Sequence, residues 1–221
     1  DKNIDLSSSD TVNIKVSNNS LQVKTTYNLP SVNGVVEVIY TVNNLGEIVV
    51  TTNLNGIKNN LPILPKFGSN FILKNEFQNV EWYGRGPHEN YQDRNTSALV
   101  GLYNAKVADL YFPYIRPQEN GFRTDTRWVT FTNENGVGLK IESKELFGFS
   151  SHHQYNSDFG ESKKKKQRHT TDVPTRDFVN VNIDKIQMGV GGDNSWGAKP
   201  LKKYQIKPSN LSYSFIISPL K

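Results

Sequence analysis

A period of two dominates the pattern of hydrophobic and polar positions along this chain. The segments GVVEVIYTV (34–42) and GEIVVTTNL (46–54) are rich in β-branched residues, and only Asn43-Asn44-Leu45 separates them. Two strand-forming runs joined by a few turn-forming residues are typical of a β-hairpin. These segments therefore predict a pair of antiparallel strands.

Three further segments also predict strands. RWVTFTNENGVGLKIES (127–143) alternates, turns after residue 132 and returns with Leu139 and Ile141 on one face, which indicates a second hairpin. DFVNVNIDKIQMGV (177–190) alternates between polar and β-branched residues, and LSYSFIISPL (211–220) ends the chain as a strand.

The sequence contains no convincing helical repeat. The best helical candidate, NTSALVGLYNA (95–105), is short and interrupted by Gly101, and SDFGESKKKKQRHTTDVPTRD (157–177) is expected to be a long exposed excursion. No internal repeat or linker divides the chain. The regular spacing of strands and turns predicts an all-β protein, with residues 1–221 forming one large antiparallel β-sandwich domain.

Composition agrees with a folded β protein. Hydrophobic residues make up 35% of the 221 positions, and 10 Tyr, 11 Phe and 3 Trp supply large side chains for a core. The absence of cysteine excludes disulfides and thiolate metal sites. The first residues, DKNIDLSSSD, lack the basic and apolar regions of a signal peptide, and no apolar run reaches the length of a membrane helix.

The net charge of +5 does not indicate a nucleic-acid partner. The 26 basic and 21 acidic residues are interspersed, and the one dense basic run, residues 163–168, has no aromatic residues among its lysines. A run of like charges without stacking residues is typical of a solvated loop. We expect neither nucleic acid nor membrane as a partner.

Two segments combine aromatic and charged residues in a way that surface loops seldom do: VEWYGRGPHENYQDR (80–94) and YFPYIRPQENGFRTDTRW (111–128). A glycosidase needs two carboxylates flanking one bond, roughly 5–5.5 Å apart for retention or 6.5–9.5 Å for inversion. Nothing in the spacing of the available carboxylates makes two of them face a sugar. These carboxylates are Glu89, Asp93, Glu119 and Asp125.

The favoured interpretation of these charges is structural, because charges inside a fold are normally paired. It predicts partly buried ion pairs that fix loops, formed by Glu89, Arg94, Glu119, Arg123 and Arg127. The histidines do not predict a metal site, because the adjacent His152 and His153 would point to opposite faces of a strand.

The segment QMGVGGDNSWG (187–197) places a tryptophan directly after loop-forming residues. Glycine permits positive φ, and Asp and Asn favour turns. An indole on such a loop either fills a hydrophobic hole or forms a platform for a ligand.

Three motifs, EWYGRGPHENYQDR, PYIRPQENGFRTDTRW and IDKIQMGVGGDNSWG, resemble the C-terminal domain (domain 5, small-chain-like) of the bacterial β-galactosidases of glycoside hydrolase family 2. They occur in the family's order, and the resemblance is firm over residues 80–221. It implies a galactose-mutarotase-like supersandwich that is not catalytic, because the family's catalytic glutamates belong to a TIM barrel. The domain instead completes the active-site wall, and the tryptophan of its glycine-rich loop stacks on the sugar.

Carried to this chain, the resemblance makes Trp196 the sugar platform, with Asp193, Asn194 and Ser195 beside it as substrate-binding residues, and assigns no catalytic residue. The implied parent is a bacterial, homo-oligomeric, retaining enzyme that hydrolyses terminal β-D-galactosides such as lactose. The resemblance implies contacts with the parent's other domains, no cofactor in this chain, and Mg²⁺ and Na⁺ as ions for the parent.

Two departures from the family are visible. The chain begins inside the family's domain, so we expect its first strands to be missing and a strand edge to be uncovered. Gln187 stands where some relatives carry histidine.

Two other functions remain open at this point. One is a free-standing carbohydrate-binding module that uses Trp196 together with Tyr83 and Tyr91. The other is an epimerase that uses His88 and Glu89 as its acid and base.

Overall fold

The computed structural model of the chain describes residues 10–58, 60–160, 169–192, 194 and 197–221. In that part the regular structure consists of eleven strands and five short 3-10 turns, without an α-helix. None of the described helices is long and apolar enough to cross a membrane. The strands are β1 (Thr11–Ser17), β2 (Ser20–Leu29), β3 (Gly34–Asn43), β4 (Ile48–Asn55), β5 (Lys66–Lys74), β6 (Asn79–Gly86), β7 (Leu99–Lys106), β8 (Arg123–Thr132), β9 (Gly138–His152), β10 (Phe178–Gln187) and β11 (Leu211–Leu220).

All strand pairs are antiparallel within the described residues, and they form one connected network in the order β1-β2-β3-β4-β11-β9-β8-β6-β7. The network branches at β9, which is 15 residues long. Its first residues, 138–142, pair with β11, whereas residues 148–152 pair with β10, which in turn pairs with β5. The long strand β9 therefore belongs to two layers.

Most strands predicted from the sequence are confirmed. The segment 34–54 forms the β3-β4 hairpin, 127–143 contributes to the β8-β9 hairpin, and both 177–190 and 211–220 contain a strand. The helical candidate at 95–105 is not a helix, because residues from Leu99 onward form β7. There the pairing with β6 decides the conformation, as tertiary contacts commonly override weak local preference.

The core lies between the two layers, and β8 and β9 each contribute residues to both layers. Val129, Phe131, Ile141 and Phe149 have no exposed surface, and neither do the β-branched residues Val179, Val181 and Ile183 of β10. Across the core, the Tyr213 hydroxyl on β11 donates to Ser69 Oγ on β5 at 2.6 Å. The layers thus pack face to face, which confirms the predicted antiparallel sandwich.

Strand β10 is buried on both faces: Asn180 and Asn182 are as buried as the apolar residues Val179, Val181 and Ile183 that alternate with them. Its polar face lies under the connections at 111–122 and 156–160. The predicted exposed excursion at 157–177 is therefore wrong at its start, because Asp158 and Phe159 are buried. Residues 161–168, which include the lysine run, lie outside the described residues.

Candidate functional site

The structure joins the three segments that the sequence singles out. We call residues 86–94 the Gly-Pro segment, residues 111–123 the Pro-rich segment and residues 187–197 the glycine loop. Each segment adjoins the end of a strand: the Gly-Pro segment begins where β6 ends, the Pro-rich segment leads into β8, and the glycine loop begins at the last residue of β10.

Glu89 ties the Gly-Pro segment to the Pro-rich segment. Its carboxylate accepts a hydrogen bond from the Gly121 N–H at 2.7 Å, pairs with Arg94 at 2.5 Å and accepts from the Tyr114 hydroxyl. Burial and the neighbouring Glu89 carboxylate raise the pKa of Tyr114, so its hydroxyl remains a neutral donor. A carboxylate with three donors is a structural anchor, since these bonds also satisfy its buried charge.

Asn90 and Arg123 complete this junction. The Asn90 N–H donates to Phe122 O at 2.7 Å, and its side-chain oxygen accepts from the N–H and hydroxyl of Thr124 at 3.0 and 2.7 Å. Arg123, 3% exposed, donates to Gly121 O and Pro87 O and covers the Trp82 ring at 5.1 Å. Burial lowers the pKa of Arg123 to about 10, so the guanidinium stays charged at neutral pH.

Asp93 ties the Gly-Pro segment to the glycine loop. Its Oδ2 accepts a hydrogen bond from the Gly191 N–H at 2.7 Å. A Cβ at Gly189 would lie 2.5 Å from Asp93 Oδ2, and one at Gly191 would lie 3.1 Å from it. The glycines are therefore required here because the backbone passes directly over a carboxylate.

The far side of the glycine loop is also closely packed. A Cβ at Gly192 would lie 2.5 Å from Ala198 O, so the two stems of the loop are in contact. Between them, Asn194 is exposed, while Asp193, Ser195 and Trp196 lie outside the described residues. Gln187, at the start of the loop, is buried and paired with Lys66 in the sheet.

The ion pairs expected from the sequence are confirmed only in part. Glu89 pairs with Arg94, whereas Glu119 pairs with Lys66 at 3.8 Å. The expectation is wrong for Arg123 and for Arg127, whose guanidinium donates to Asp125 O and covers the Tyr83 ring. Carbonyl oxygens and aromatic faces therefore replace carboxylates as partners of these two arginines.

The histidines have separate surroundings. His88 Nε2 lies 3.2 Å from Ser97 Oγ, and His153 Nδ1 lies 2.7 Å from Phe178 O. His152 packs against Phe159 instead, so the two adjacent histidines point apart as predicted. In the described part of the chain, no three His, Cys, Asp or Glu side chains form a group that could hold a metal ion.

One group of functional interest was not singled out from the sequence: the polar face of β9 and β10. Ser150, His152, Asn180, Asn182 and Asp184 are each at most 2% exposed. The alternating pattern of β10 gives the only sequence signal for this face, and that pattern does not distinguish a solvated polar face from a buried one.

The fold and these joined loops define an all-β sandwich domain with a closely anchored glycine-rich loop. The chain matches the family model described as β-galactosidase small chain over residues 2–217. It belongs to that family.

Similar proteins include the β-galactosidase of Priestia megaterium, which is 37% identical over 185 residues, covering 83% of this chain and 17% of that protein. The β-galactosidase of Streptococcus thermophilus is 35% identical over 211 residues, covering 94% and 20%. The chain thus spans a fifth or less of the length of these relatives. Among solved structures, a galactose mutarotase related enzyme from Lactobacillus acidophilus is 11% identical, with a TM-score of 0.44, covering 94% of this chain and 70% of that one.

Proposed function

We propose that this chain is a single, non-catalytic C-terminal domain of a β-galactosidase that hydrolyses terminal β-D-galactosides such as lactose. In this proposal the domain completes the active-site wall, and Trp196 is the surface on which the sugar stacks. The observation that carries the proposal is the hydrogen bond from the Gly191 N–H to Asp93, which fixes the stem of the loop bearing Trp196.

A fixed stem matters because ordering a loop upon binding costs conformational entropy. A loop whose stem is fixed loses less of this entropy when its indole buries the C–H face of a sugar. Asp193, Asn194 and Ser195 follow the anchored glycines and would form hydrogen bonds with the hydroxyl rim. Their position in the sequence, directly before Trp196, supports this role.

The catalytic carboxylates would come from another part of the parent enzyme. A retaining glycosidase needs one carboxylate as nucleophile and one as acid/base. The four candidates in this chain already have partners: Arg94 for Glu89, the Gly191 N–H for Asp93, Lys66 for Glu119 and Arg85 for Asp125. These partners support an isolated domain without hydrolase activity. In this proposal the parent is homo-oligomeric, and its other domains bind the Mg²⁺ and Na⁺ that the resemblance implies.

Activity measurements on the isolated chain and the parent enzyme test the proposal. We expect no turnover of lactose or a chromogenic galactoside by the isolated chain. In the parent, Trp196→Ala is expected to raise KM roughly tenfold or more, equivalent to about 1.4 kcal/mol of lost binding. Trp196→Phe is the matched control, because it retains a flat ring and should lose less.

Either of two results would contradict this assignment. One is hydrolysis by the isolated chain that disappears in Glu89→Gln or Glu119→Gln. The other is a parent enzyme whose KM is the same with tryptophan or alanine at position 196.

A free-standing carbohydrate-binding module is the second candidate. Asp93, a residue of this chain, anchors the glycine loop, and this favours a binding surface formed without other domains. Titrating galactose while following tryptophan fluorescence separates the two functions. Tight binding by the isolated chain that Trp196→Ala removes would favour the module, whereas very weak binding would favour a domain completing another domain's active site.

A further inference from the structure

The outer face of β9 and β10 carries polar side chains where a buried sheet normally carries apolar ones. The register pairs Asn180 with His152 and Asn182 with Ser150, so these four side chains lie together on the face directed away from the core. Their exposed fractions are 1% or 2%. Burying polar groups costs free energy unless they find partners, so the face requires an explanation.

Asparagines on neighbouring segments satisfy part of this face. Asn70 Nδ2 donates to Asn180 Oδ1 at 2.6 Å and to Asn182 Oδ1 at 3.0 Å. Asn182 Nδ2 donates to Ser150 Oγ at 3.0 Å, and Asn156 Nδ2 donates to Asn182 Oδ1 at 2.9 Å. Such a network fixes the orientation of each amide and of the Ser150 hydroxyl.

Asp184 Oδ2 and the His152 ring lack hydrogen-bond partners among the described residues, and His152 is the one of the two that borders a cavity. It is 1% exposed, and among the described residues neither of its ring nitrogens has a hydrogen-bond partner. The ring lines a cavity of about 190 Å³ together with Glu119, Ser150, Asn156 and Phe159. A water molecule occupies about 30 Å³ in the liquid, so this cavity has room for several waters or one small organic molecule.

The cavity wall combines uncharged donors and acceptors with one aromatic ring. Burial, with a smaller effect from the nearby Arg123, lowers the pKa of His152 to about 3, so the imidazole is neutral and has one donor and one acceptor nitrogen. The Asn156 amide oxygen already accepts from Asn180 and Asn182, so Asn156 offers the second hydrogen of its amide nitrogen as a donor, and Phe159 offers an apolar surface. Glu119 is the only charged residue among the described lining residues, and Lys66 lies 3.8 Å from its carboxylate.

Hydroxyl groups match this wall better than ionic groups do. A hydroxyl both donates and accepts, as do a neutral imidazole and an amide, and the Glu119 carboxylate would repel an anion. The C–H groups of a ring-shaped polyol would pack against Phe159. We propose that this cavity is a second carbohydrate site, which binds one neutral monosaccharide through His152, Asn156 and Glu119.

This proposal does not depend on the role proposed for Trp196. None of the described cavity-lining residues belongs to the glycine loop. A monosaccharide at His152 and a galactoside at Trp196 would therefore respond to different substitutions.

A titration of the whole 221-residue chain with D-galactose tests the site. Two-dimensional ¹H–¹⁵N NMR would follow the Asn156 side-chain amide and the Ser150 backbone amide, with an expected Kd in the millimolar range, which corresponds to about −4 kcal/mol. We expect His152→Phe to weaken binding at these probes at least tenfold. Trp196→Ala should leave the galactose-induced shifts of these two amides unchanged. This variant therefore tells a failure of the cavity proposal apart from a failure of the role proposed for Trp196.

Gly160→Val provides an independent test in case His152→Phe does not fold. Gly160 lines the cavity with φ −91° and ψ 172°, and an added Cβ would meet only Ser157 O, at 3.8 Å. The variant therefore adds a larger side chain to the cavity lining without removing a polar group, and we expect the same tenfold loss.

Three results would overturn the proposal. The first is galactose binding at these probes that Gly160→Val does not weaken. The second is shifts that disappear only in Trp196→Ala. The third is glycerol binding as tightly as galactose, which would mean that the cavity recognises any small polyol and not a sugar.

Discussion

Asp184 on β10 is a carboxylic acid in a place that disfavours its charge. Its side chain is completely buried, and its Oδ2 has no hydrogen-bond partner among the described residues. Burial raises the pKa of Asp184 to about 7; Lys66 lowers it and Glu119 raises it by smaller amounts. The folded protein therefore binds a proton there that the unfolded chain, with a pKa near 3.8, releases.

This shift gives the first prediction, which concerns Asp184→Asn. Since the folded-state pKa is raised, the contribution of Asp184 to stability is greatest below about pH 4 and is lost as the pH rises to about 7. Asparagine resembles the protonated acid, so the variant should be more stable than the unsubstituted chain near pH 8. The difference in the free energy of unfolding should reach up to ~4 kcal/mol, because the pKa of Asp184 rises from 3.8 to about 7 on folding. Urea unfolding of both chains across this range measures the difference.

Asp177→Asn is the control, because Asp177 is exposed and also carries a carboxylate. Subtracting the unfolding free energy of the unsubstituted chain from that of the variant at each pH removes the contributions of His152 and of other groups that titrate in the same range. A stability difference for Asp184→Asn that does not change with pH would show that Asp184 is charged in the folded protein.

Gly121 supports the second residue-scale prediction, because it combines two constraints. Its φ is +67°, and an added Cβ would lie 2.8 Å from Leu110 O and closer still to His152 Nε2. Gly136 has a similar φ, +79°, with no atom within 4 Å of such a Cβ. Gly136→Ala should therefore cost only the backbone strain, about 1 kcal/mol.

Gly121→Ala should cost at least ~2 kcal/mol more than Gly136→Ala, because it adds steric overlap to the same strain. Denaturation midpoints of the two variants measure this difference. Equal losses would mean that the Pro-rich segment shifts to accommodate the methyl group.

At the scale of secondary-structure elements, the glycine loop depends on one side chain of a distant segment. Asp93 and Gly191 are 98 positions apart, and their hydrogen bond connects β6's loop with β10's loop. Hydrogen bonds to charged groups contribute about 1.5–3 kcal/mol. The position of the glycine loop therefore depends on Asp93 as well as on its own residues.

The third prediction is that Asp93→Ala makes the Gly191 amide exchange with solvent at least ~10-fold faster, since about 1.4 kcal/mol corresponds to a factor of ten. Asp93→Asn keeps an acceptor oxygen, so the Gly191 amide should exchange more slowly in this variant than in Asp93→Ala. Asp109→Ala, which removes an exposed carboxylate elsewhere, is the control. Unchanged exchange in Asp93→Ala would show that the loop is fixed by other contacts.

The sequence predicted elements well where local pattern decides and poorly where distant contacts decide. The β3-β4 and β8-β9 hairpins followed from alternation and turn residues alone. Strand β7 was missed because Gly101 interrupts the strand-forming residues Val100 and Tyr103, and the pairing with β6 decides the conformation. The burial of Asn180 depends on the loops covering it, and the Asp93–Gly191 bond depends on the packing of two separate strands, so neither follows from local pattern.

At the scale of the whole molecule, the two layers differ in width in the described part of the chain. The register places Ile14, Val23, Tyr40 and Val50 in one row across β1, β2, β3 and β4. Val50 is 4% exposed at one end of this row and Ile14 is 67% exposed at the other, with Tyr40 at 39% and a half-buried Val23 between them. The opposite layer ends at β5 among the described strands, and a cleft of about 600 Å³ opens between β5 and this face.

Among the described residues nothing covers this apolar face, and such a face beside two strand edges favours association between copies. Val12, Ile14 and Val16 lie on this face of β1 and are 55%, 67% and 74% exposed. The fourth prediction is that the isolated 221-residue chain associates as its concentration rises, and that Ile14→Lys reduces this association by placing a charge in the middle of the face. Size-exclusion chromatography with light scattering over a range of concentrations measures it.

Asn13→Lys is the matched control, because it adds the same charge to the opposite face of the same strand. If general charge repulsion controlled association, the two variants would behave alike; if the apolar face controls it, only Ile14→Lys yields monomers. The prediction would be contradicted if the unsubstituted 221-residue chain remained monomeric at every concentration.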